Sequence, residues 1–146
     1  MDRKNLIIAR DTKLYFSRGY KYCSRKEFNI KLVFGPKEDI ETRFVSFKKD
    51  GCLKVKEWYP WDGASGPTWD TFNSMIGSLI HDVGYQLIRL GHLDSSYKEL
   101  FDQLLHDLCA EDGMWEWRAD YWEWAVLNFG TGSTRPSSEP KVEVAP

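Results

Sequence analysis

The sequence contains no long apolar run, and this absence argues against a transmembrane helix. No hydrophobic stretch among the 146 residues approaches the roughly 20 residues that a transmembrane helix needs. Near the N-terminus only residues 6–9 are consecutively apolar, which is too short for the hydrophobic core of a signal peptide. We therefore expect neither a transmembrane segment nor secretion through a signal peptide.

Cysteine is also scarce. The sequence has three cysteines, an odd number, which lie far apart at Cys23, Cys52 and Cys109. No CxxC pair is present. A small secreted domain held together by disulfides carries an even set of cysteines at short spacings. We expect three free thiols, a reducing compartment and no cysteine-based zinc site.

Charge is divided unevenly along the chain. Residues 1–60 contain 15 Lys and Arg against 8 Asp and Glu, whereas residues 61–146 contain 5 against 14. The basic half carries no nucleic-acid-binding motif, so no nucleic-acid partner is expected. The acidic half suits a cation, although mutual attraction of the two halves explains the division more simply.

Residues 5–59 have the patterns of β-structure. Apolar side chains occupy alternate positions from Phe28 to Phe34, and Gly35-Pro36 follows them. Asp50-Gly51 separates two further alternating runs, which predicts an antiparallel hairpin pairing residues 43–48 with 52–58. A weaker pattern over residues 14–22 indicates an earlier strand or hairpin.

Three helices are predicted after the β region. The first covers residues 71–90 and stops at Gly91, the second begins with the capping box Ser96-Tyr-Lys-Glu99, and the third covers residues 115–129. The expected fold is α+β, an antiparallel β region packed on a three-helix unit. The expected single domain spans 1–130, with a β region at 1–60, a Gly/Pro loop at 61–70 and helices at 71–130; a flexible tail follows at 131–146.

The first helix carries two glycines on the face that holds a histidine. Gly77, His81, Gly84 and Tyr85 share this face, and each glycine inside a helix costs about 1 kcal/mol relative to alanine. Either a ligand approaches His81 closely, or a second helix packs tightly beside it. Both interpretations remain open from the spacing.

His81 and Asp102 form a candidate hydrolytic pair. The short connection at residues 91–95 makes their helices antiparallel neighbours, and a rise of about 1.5 Å per residue brings the two residues to similar heights. Asp102 lies on the flank of its helix's apolar stripe. A carboxylate there would fix the tautomer of a catalytic histidine, with Tyr85 nearby. The alternative is a salt-bridged helix pair without chemistry.

The loop before the first helix is rich in oxygen donors. Asp62 and the residues from Gly63 to Gly66 offer a carboxylate, a hydroxyl and freely oriented carbonyls, which suit a hard cation such as calcium. Asp82 would supply a second carboxylate. Trp61 and Trp69 flank this loop and are predicted to contact a bound ligand. The alternative is a tight strand-to-helix linker.

A second His-Asp dipeptide occurs at His106-Asp107, with His92 nearby. Two such pairs suggest a metal-dependent phosphohydrolase of the HD type. Those folds need further metal ligands on many helices, and about 60 helical residues are too few. On the helical wheel His106 falls on the polar face.

Tryptophan is abundant, with seven residues, four of them in the third helix. These four are Trp115, Trp117, Trp122 and Trp124. One helix cannot bury all of them without a deep groove or a partner. We expect either core packing or an exposed aromatic surface that contacts membrane lipid or another protein.

Several motifs, in order and spacing, resemble the phage and prophage proteins of domain of unknown function 1353. The shared motifs are Asp62-Gly-Ala-Ser, Leu79-Ile-His-Asp-Val-Gly-Tyr85, Asp102 eleven residues before Gly113-Met, Trp117-Arg-Ala, and Ala125-Val with the later Phe129-Gly. The resemblance covers residues 55–130. It implies a phage origin and no particular activity, and this chain has Thr68 where that family tends to have a basic residue.

A second, more distant similarity implies a catalytic activity. The His-Asp-x-x-Tyr helix, the glycine-rich loop before it and an Asp on the next helix are similar to the phospholipase A₂ superfamily. The similarity implies that His81 is the base, that Asp82 with carbonyls around Gly63 and Gly66 binds calcium, and that Tyr85 and Asp102 orient the base. The chain lacks the disulfides and the Cys-Gly-x-Gly loop of the secreted enzymes.

Two classes of function follow from these patterns. The first is a small phage-derived hydrolase that cleaves esters of host membrane or envelope lipids. The second is a non-catalytic virion or tail accessory protein, or an effector that binds a host protein. The expected location is the host cytoplasm or the phage virion. An accessible cleft that joins His81, Asp82, Asp102 and the 62–66 loop would favour the enzyme.

Overall fold

The computed structural model describes residues 3–19, 21–63 and 71–145. Within these residues the first half of the chain forms strands and the second half forms helices, so the predicted α+β fold is confirmed. The strands are β1 (Ile7–Arg10), β2 (Phe16–Ser17), β3 (Tyr22–Ser24), β4 (Phe28–Leu32), β5 (Ile40–Glu41), β6 (Val45–Phe47), β7 (Cys52–Val55) and β8 (Pro60–Trp61). The helices are α1 (Met75–Arg89), α2 (Lys98–Glu111) and α3 (Glu116–Phe129).

Five strands form one antiparallel sheet in the order β1-β4-β7-β6-β5. Its inner face carries the alternating apolar residues of the sequence pattern, because successive side chains of a strand point to opposite faces. Phe28, Leu32 and Phe47 are fully buried there. The ring of Phe101 on α2 packs among them, 6.4 Å from that of Phe47, so sheet and helices share one core.

The predicted hairpin at Asp50-Gly51 is confirmed. β6 and β7 are antiparallel, with Val45 opposite Val55 and Phe47 opposite Leu53. Gly51 donates its backbone N–H to the carbonyl of Lys48 and has φ of 93°, a conformation that glycine adopts without strain. The early hairpin is present too, as β2 and β3 of a second sheet ordered β2-β3-β8.

The glycines that flank His81 are explained by close helix packing. A Cβ atom on Gly77 would lie 2.7 Å from Cys109 Sγ, and one on Gly84 would lie 2.2 Å from the ring of Phe101. Both neighbours belong to α2. The two glycines therefore let α1 and α2 approach closely, and the interpretation that they make room for a ligand is not needed.

The start of α2 differs from the predicted capping box. A 3-10 turn at Ser95–Tyr97 precedes the helix, and the side chain of Asp94 caps that turn by accepting from the backbone N–H of Ser96. The predicted cap at Ser96 is wrong, because it lies two residues after the observed cap. Asp94 and Ser96 both have the short polar side chain that is preferred at a helix start. The sequence pattern alone therefore could not show which of the two residues is the cap.

The segment predicted as a flexible tail carries two 3-10 turns, Thr131–Thr134 and Pro136–Ser138, in its first part. Arg89 of α1 donates to the carbonyl of Ser133 at 3.0 Å and to the carboxylate of Glu139 at 2.8 Å. Residues 131–139 therefore lie against α1. Across the described parts of the chain, no helix has the length and apolar character to cross a bilayer.

Candidate functional site

α1 and α2 bring His81 and Asp102 into direct contact. His81 Nε2 lies 2.8 Å from Asp102 Oδ1. Both side chains are buried, His81 with 7% of its surface exposed and Asp102 with none. The close approach of the two helices at Gly84 makes this contact possible.

Tyr85 joins the pair from the next turn of α1. Its hydroxyl donates to Asp102 Oδ1 at 2.5 Å, and its ring centroid lies 4.0 Å from that of His81. Burial raises the pKa of the Tyr85 phenol, and the hydrogen bond to Asp102 raises it further. Tyr85 therefore keeps its proton and acts as a hydrogen-bond donor.

Lys98 completes the polar cluster, and it is not among the site residues predicted from the sequence. Its Nζ lies 2.7 Å from Asp102 Oδ2 and 3.1 Å from the carbonyl of Val126. Lys98 and Asp102 are four residues apart on α2, a spacing that places oppositely charged side chains on one helix face. That spacing was visible in the sequence, but Lys98 had been assigned to the capping box.

Asp102 is a carboxylate at neutral pH although it is buried. Burial alone would raise its pKa, but hydrogen bonds from His81, Lys98 and Tyr85 outweigh this effect and hold the pKa below its usual value. With an ionised acceptor at Nε2, the imidazole of His81 carries its hydrogen on that nitrogen. Nδ1 is then the basic nitrogen, and it lies 4.0 Å from Asp82 Oδ1.

A cleft of about 610 Å³ adjoins this cluster. His81, Asp82 and Tyr85 line it from α1, and Asp62 and Gly63 line it from the chain that follows β8. A cleft of this volume accommodates a small-molecule ligand. His81, Tyr85 and part of the predicted cation loop thus face one space, whereas Asp102 is fully buried behind His81 and does not line the cleft.

The described part of the predicted cation site consists of oxygen donors. Asp62 and Asp82 offer carboxylates, and Gly63 has φ of 85° in the left-handed region. Asp62 is paired with Lys21 at 3.2 Å. Gly66 lies outside the described residues, as does Trp69, so their predicted roles stay predictions.

The walls of the cleft are fixed by polar contacts. The Trp61 indole N–H donates to Ser78 Oγ at 3.1 Å, and the Tyr59 hydroxyl donates to Gln86 Oε1 at 2.8 Å. Burial raises the pKa of Tyr59, so its hydroxyl also stays protonated. Ser133 and Glu139 line the side that the tail covers.

Exposed aromatic side chains occur along α3 and at the residue that precedes it. We call Trp115, Trp117, Tyr121, Trp124 and Phe129 the aromatic surface; their exposed fractions run from 39% to 73%. Neighbouring rings are in contact, with centroids 6.0 Å apart between Tyr121 and Trp124 and 5.6 Å apart between Trp124 and Phe129. Phe129 also lines the cleft, so the aromatic surface reaches its edge. Trp122 is buried, as core packing predicts.

A second polar cluster lies between α2 and α3. The imidazole of His106 lies near three carboxylates, those of Asp107, Glu116 and Asp120. A group of His106, Glu116 and Asp120 could hold a metal ion. The helical wheel placed His106 on the polar face, but it is 5% exposed because α3 covers it. Burial lowers its pKa, while the hydrogen bonds to Asp107 and Asp120 outweigh burial and raise it overall.

Comparison with known proteins adds no relative. No family model matches the chain, and no match was found among curated proteins or solved structures. The resemblances noted in the sequence are therefore without support from these comparisons.

Proposed function

We propose that this chain is a small phage-derived esterase of phospholipase A₂-like design, acting on lipids of the host membrane or envelope. The observation that carries the proposal is the contact between His81 Nε2 and the buried Asp102 Oδ1 at 2.8 Å, with His81 itself lining a cleft of about 610 Å³. A histidine oriented by a buried carboxylate beside a cleft is the arrangement that general-base catalysis requires.

The reaction we propose uses His81 as the base. Nδ1 takes a proton from a water molecule in the cleft while the water oxygen forms a bond to the ester carbonyl carbon. The resulting tetrahedral oxyanion collapses, the bond to the leaving alkoxide breaks, and the imidazolium returns the proton to that oxygen. General-base assistance of this kind accelerates a reaction by about 10² to 10⁴-fold.

Asp102 stabilises the imidazolium that forms during this reaction, because its carboxylate lies against Nε2. Tyr85 and Lys98 are positioning residues. Tyr85 donates to the same Asp102 oxygen as His81, and Lys98 binds the other oxygen. Since both oxygens of Asp102 are held, its carboxylate keeps the imidazole of His81 in one orientation.

We propose that calcium would be held by oxygen donors that line the same cleft. Asp62, Asp82 and the carbonyl of Gly63 are hard oxygen donors beside the same cleft, which is the ligand class that calcium prefers. When bound there, calcium would polarise the ester carbonyl and balance the negative charge of the oxyanion. Asp82 also lies next to His81, with its Oδ1 4.0 Å from Nδ1.

The aromatic surface supports a lipid substrate. Tryptophan and phenylalanine bury their rings at the boundary between lipid headgroups and acyl chains. Because Phe129 belongs both to the aromatic surface and to the lining of the cleft, a membrane bound there would place lipid esters near the entrance. This arrangement favours an interfacial substrate over a soluble ester.

The test is fatty-acid release from phosphatidylcholine and phosphatidylglycerol vesicles, measured with calcium and again after chelation with EGTA. We expect release from vesicles that exceeds cleavage of a short, water-soluble ester, and a loss of rate on chelation. The Trp124→Ala protein should bind vesicles less tightly and cleave the soluble ester normally. Absence of release from every vesicle by folded protein would refute the proposal.

The alternative function is a non-catalytic virion accessory or host-interaction protein. The aromatic surface favours it, because exposed tryptophans are enriched in protein interfaces. The same vesicle assay separates the two functions, since an accessory protein would release no fatty acid. Its aromatic surface would then be needed only for assembly with a protein partner.

A further inference from the structure

We propose that His106, Glu116 and Asp120 form a binding site for a divalent transition-metal ion between α2 and α3. The candidate ligand atoms all lie within 4.8 Å of one another. His106 Nε2 is 2.8 Å from Asp120 Oδ1 and 2.9 Å from Glu116 Oε1. The site is separate from the cleft, whose lining contains none of these residues.

The helices supply the ligands in a fixed arrangement. Glu116 and Asp120 are four residues apart in the first part of α3, so their carboxylates project from one face. His106 lies on α2, where α3 covers it. Two ligands from one helix and one from its neighbour converge on a single point.

The hydrogen bonding at His106 points to a cation. Nε2 carries at most one hydrogen, yet two carboxylate oxygens lie within 2.9 Å of it. The other ring nitrogen, Nδ1, already faces Asp107 Oδ1 at 2.8 Å. A metal ion at Nε2 would bind both carboxylates at once, which a single hydrogen does poorly.

The charge around the ring agrees with this inference. Asp107, Glu116 and Asp120 surround His106, and Glu123 lies nearby on α3, paired with Arg3 at 2.6 Å. Arg3 also reaches Asp107 at 3.4 Å. Four carboxylates therefore face one guanidinium and one imidazole, so even a protonated ring leaves an excess of negative charge that a dication would neutralise.

Asp107 orients the imidazole ring of His106. A metal-binding histidine usually donates its second N–H to a carboxylate, which fixes the ring and strengthens the metal bond. Asp107 accepts at Nδ1 and is itself held by Gln103, whose Nε2 donates to its other oxygen at 3.2 Å. Besides its three candidate ligands, the site therefore includes Asp107 and Gln103, which hold the ring of His106 in place.

The ligand types select the class of metal. One imidazole nitrogen with two carboxylates suits zinc and its transition-metal neighbours, whereas calcium prefers oxygen ligands alone. The side chains of Glu116 and Asp120 are 69% and 63% exposed, so an ion has direct access from solvent and room to keep a water ligand. Bound metal would join the start of α3 to α2.

The test is calorimetric titration of chelator-treated, full-length Cys52→Ser protein with zinc chloride; Cys52 is replaced because it is an exposed free thiol, and thiolates are zinc ligands. We expect one zinc ion per chain. Asp120→Asn and Glu116→Gln should each weaken binding at least ten-fold, and Asp107→Asn should weaken it about 10 to 100-fold. Glu99→Gln on α2 is the matched control and should bind as the parent protein does.

Asp82→Asn separates this site from the cleft, and it should leave zinc binding unchanged. The substituted carboxylates at 116 and 120 are exposed, so these variants are expected to fold, and circular dichroism with a melting curve will verify it. Absence of saturable zinc binding would overturn the inference. Equal binding by Asp120→Asn, or loss of binding in Asp82→Asn, would overturn it as well.

Discussion

Lys98 Nζ lies 2.7 Å from Asp102 Oδ2, and Asp102 has no exposed surface. This buried ion pair holds the carboxylate that contacts His81. The ion pair therefore stabilises the packing of the helices and also orients His81, the candidate base. Each of these two roles is tested separately.

The stability role is tested by replacing Lys98 with methionine. Removal of one partner leaves a buried charge without its counter-ion, so Lys98→Met should lower the free energy of unfolding by about 3 kcal/mol. Urea unfolding followed by circular dichroism gives this value. Lys141→Met, in the exposed tail, is the control and should be neutral.

A double-mutant cycle with Asp102→Asn isolates the interaction itself. The two substitutions together should cost less than the sum of their separate effects, because Lys98→Met removes no ion pair once Asp102 is neutral. Strict additivity would show that Lys98 does not stabilise the carboxylate.

The acid sensitivity of the fold should depend on Asp102. Because its folded-state pKa is below the usual 3.8, the carboxylate contributes its full stability above that pH and loses it as the pH falls toward the folded value. The difference in unfolding free energy between wild type and Asp102→Asn should therefore shrink below about pH 4. Urea titrations from pH 6 to pH 2.5 measure it, and a pH-independent difference would contradict the assignment.

Gly84 tests the close approach of α1 and α2. A Cβ atom there would lie 2.2 Å from the buried ring of Phe101, so Gly84→Ala should destabilise the protein by about 1–3 kcal/mol in spite of alanine's better helix propensity. Gly132→Ala is the matched control, because nothing lies within 4 Å of its added carbon. Thermal unfolding measures both, and a Gly84→Ala protein as stable as wild type would mean that the helices are farther apart.

The thiols should differ in reactivity. All three cysteines are free, as the sequence predicts; Cys52 is exposed and Cys109 is buried. Burial raises the pKa of Cys109 to about 12. With a thiol reagent at pH 8, Cys52 should react first, and Cys109 only after unfolding. Unreduced protein in denaturant should titrate three thiols, and a count of one would reveal a disulfide.

Local patterns were sufficient to predict much of this fold. Alternation around Phe28 and the Asp50-Gly51 turn identified strands and their hairpin, since both depend on residues close in sequence. The contact of His81 with Asp102 was also accessible, because a short connection between two helices fixes their relative heights.

Other features depend on contacts between distant parts of the chain, and local patterns do not contain them. The helical wheel gave His106 a polar environment but could not reveal that α3 covers it. Arg89 binds Ser133 and Glu139 across more than 40 positions, so composition alone suggested a free tail. Lys98 is an exception, because its spacing of four residues from Asp102 is a local pattern that the predicted capping box obscured.

The central claim is that His81 is the base of an ester hydrolase, and its most direct test is the turnover number of His81→Asn on phosphatidylglycerol vesicles. Asparagine retains a donor for Asp102 but has no basic nitrogen, so kcat should fall by about 10² to 10⁴-fold while melting temperature and vesicle binding stay near wild type. His92→Asn, at an exposed histidine, should keep the full rate. A His81→Asn protein that hydrolyses the vesicles as fast as wild type would contradict the account.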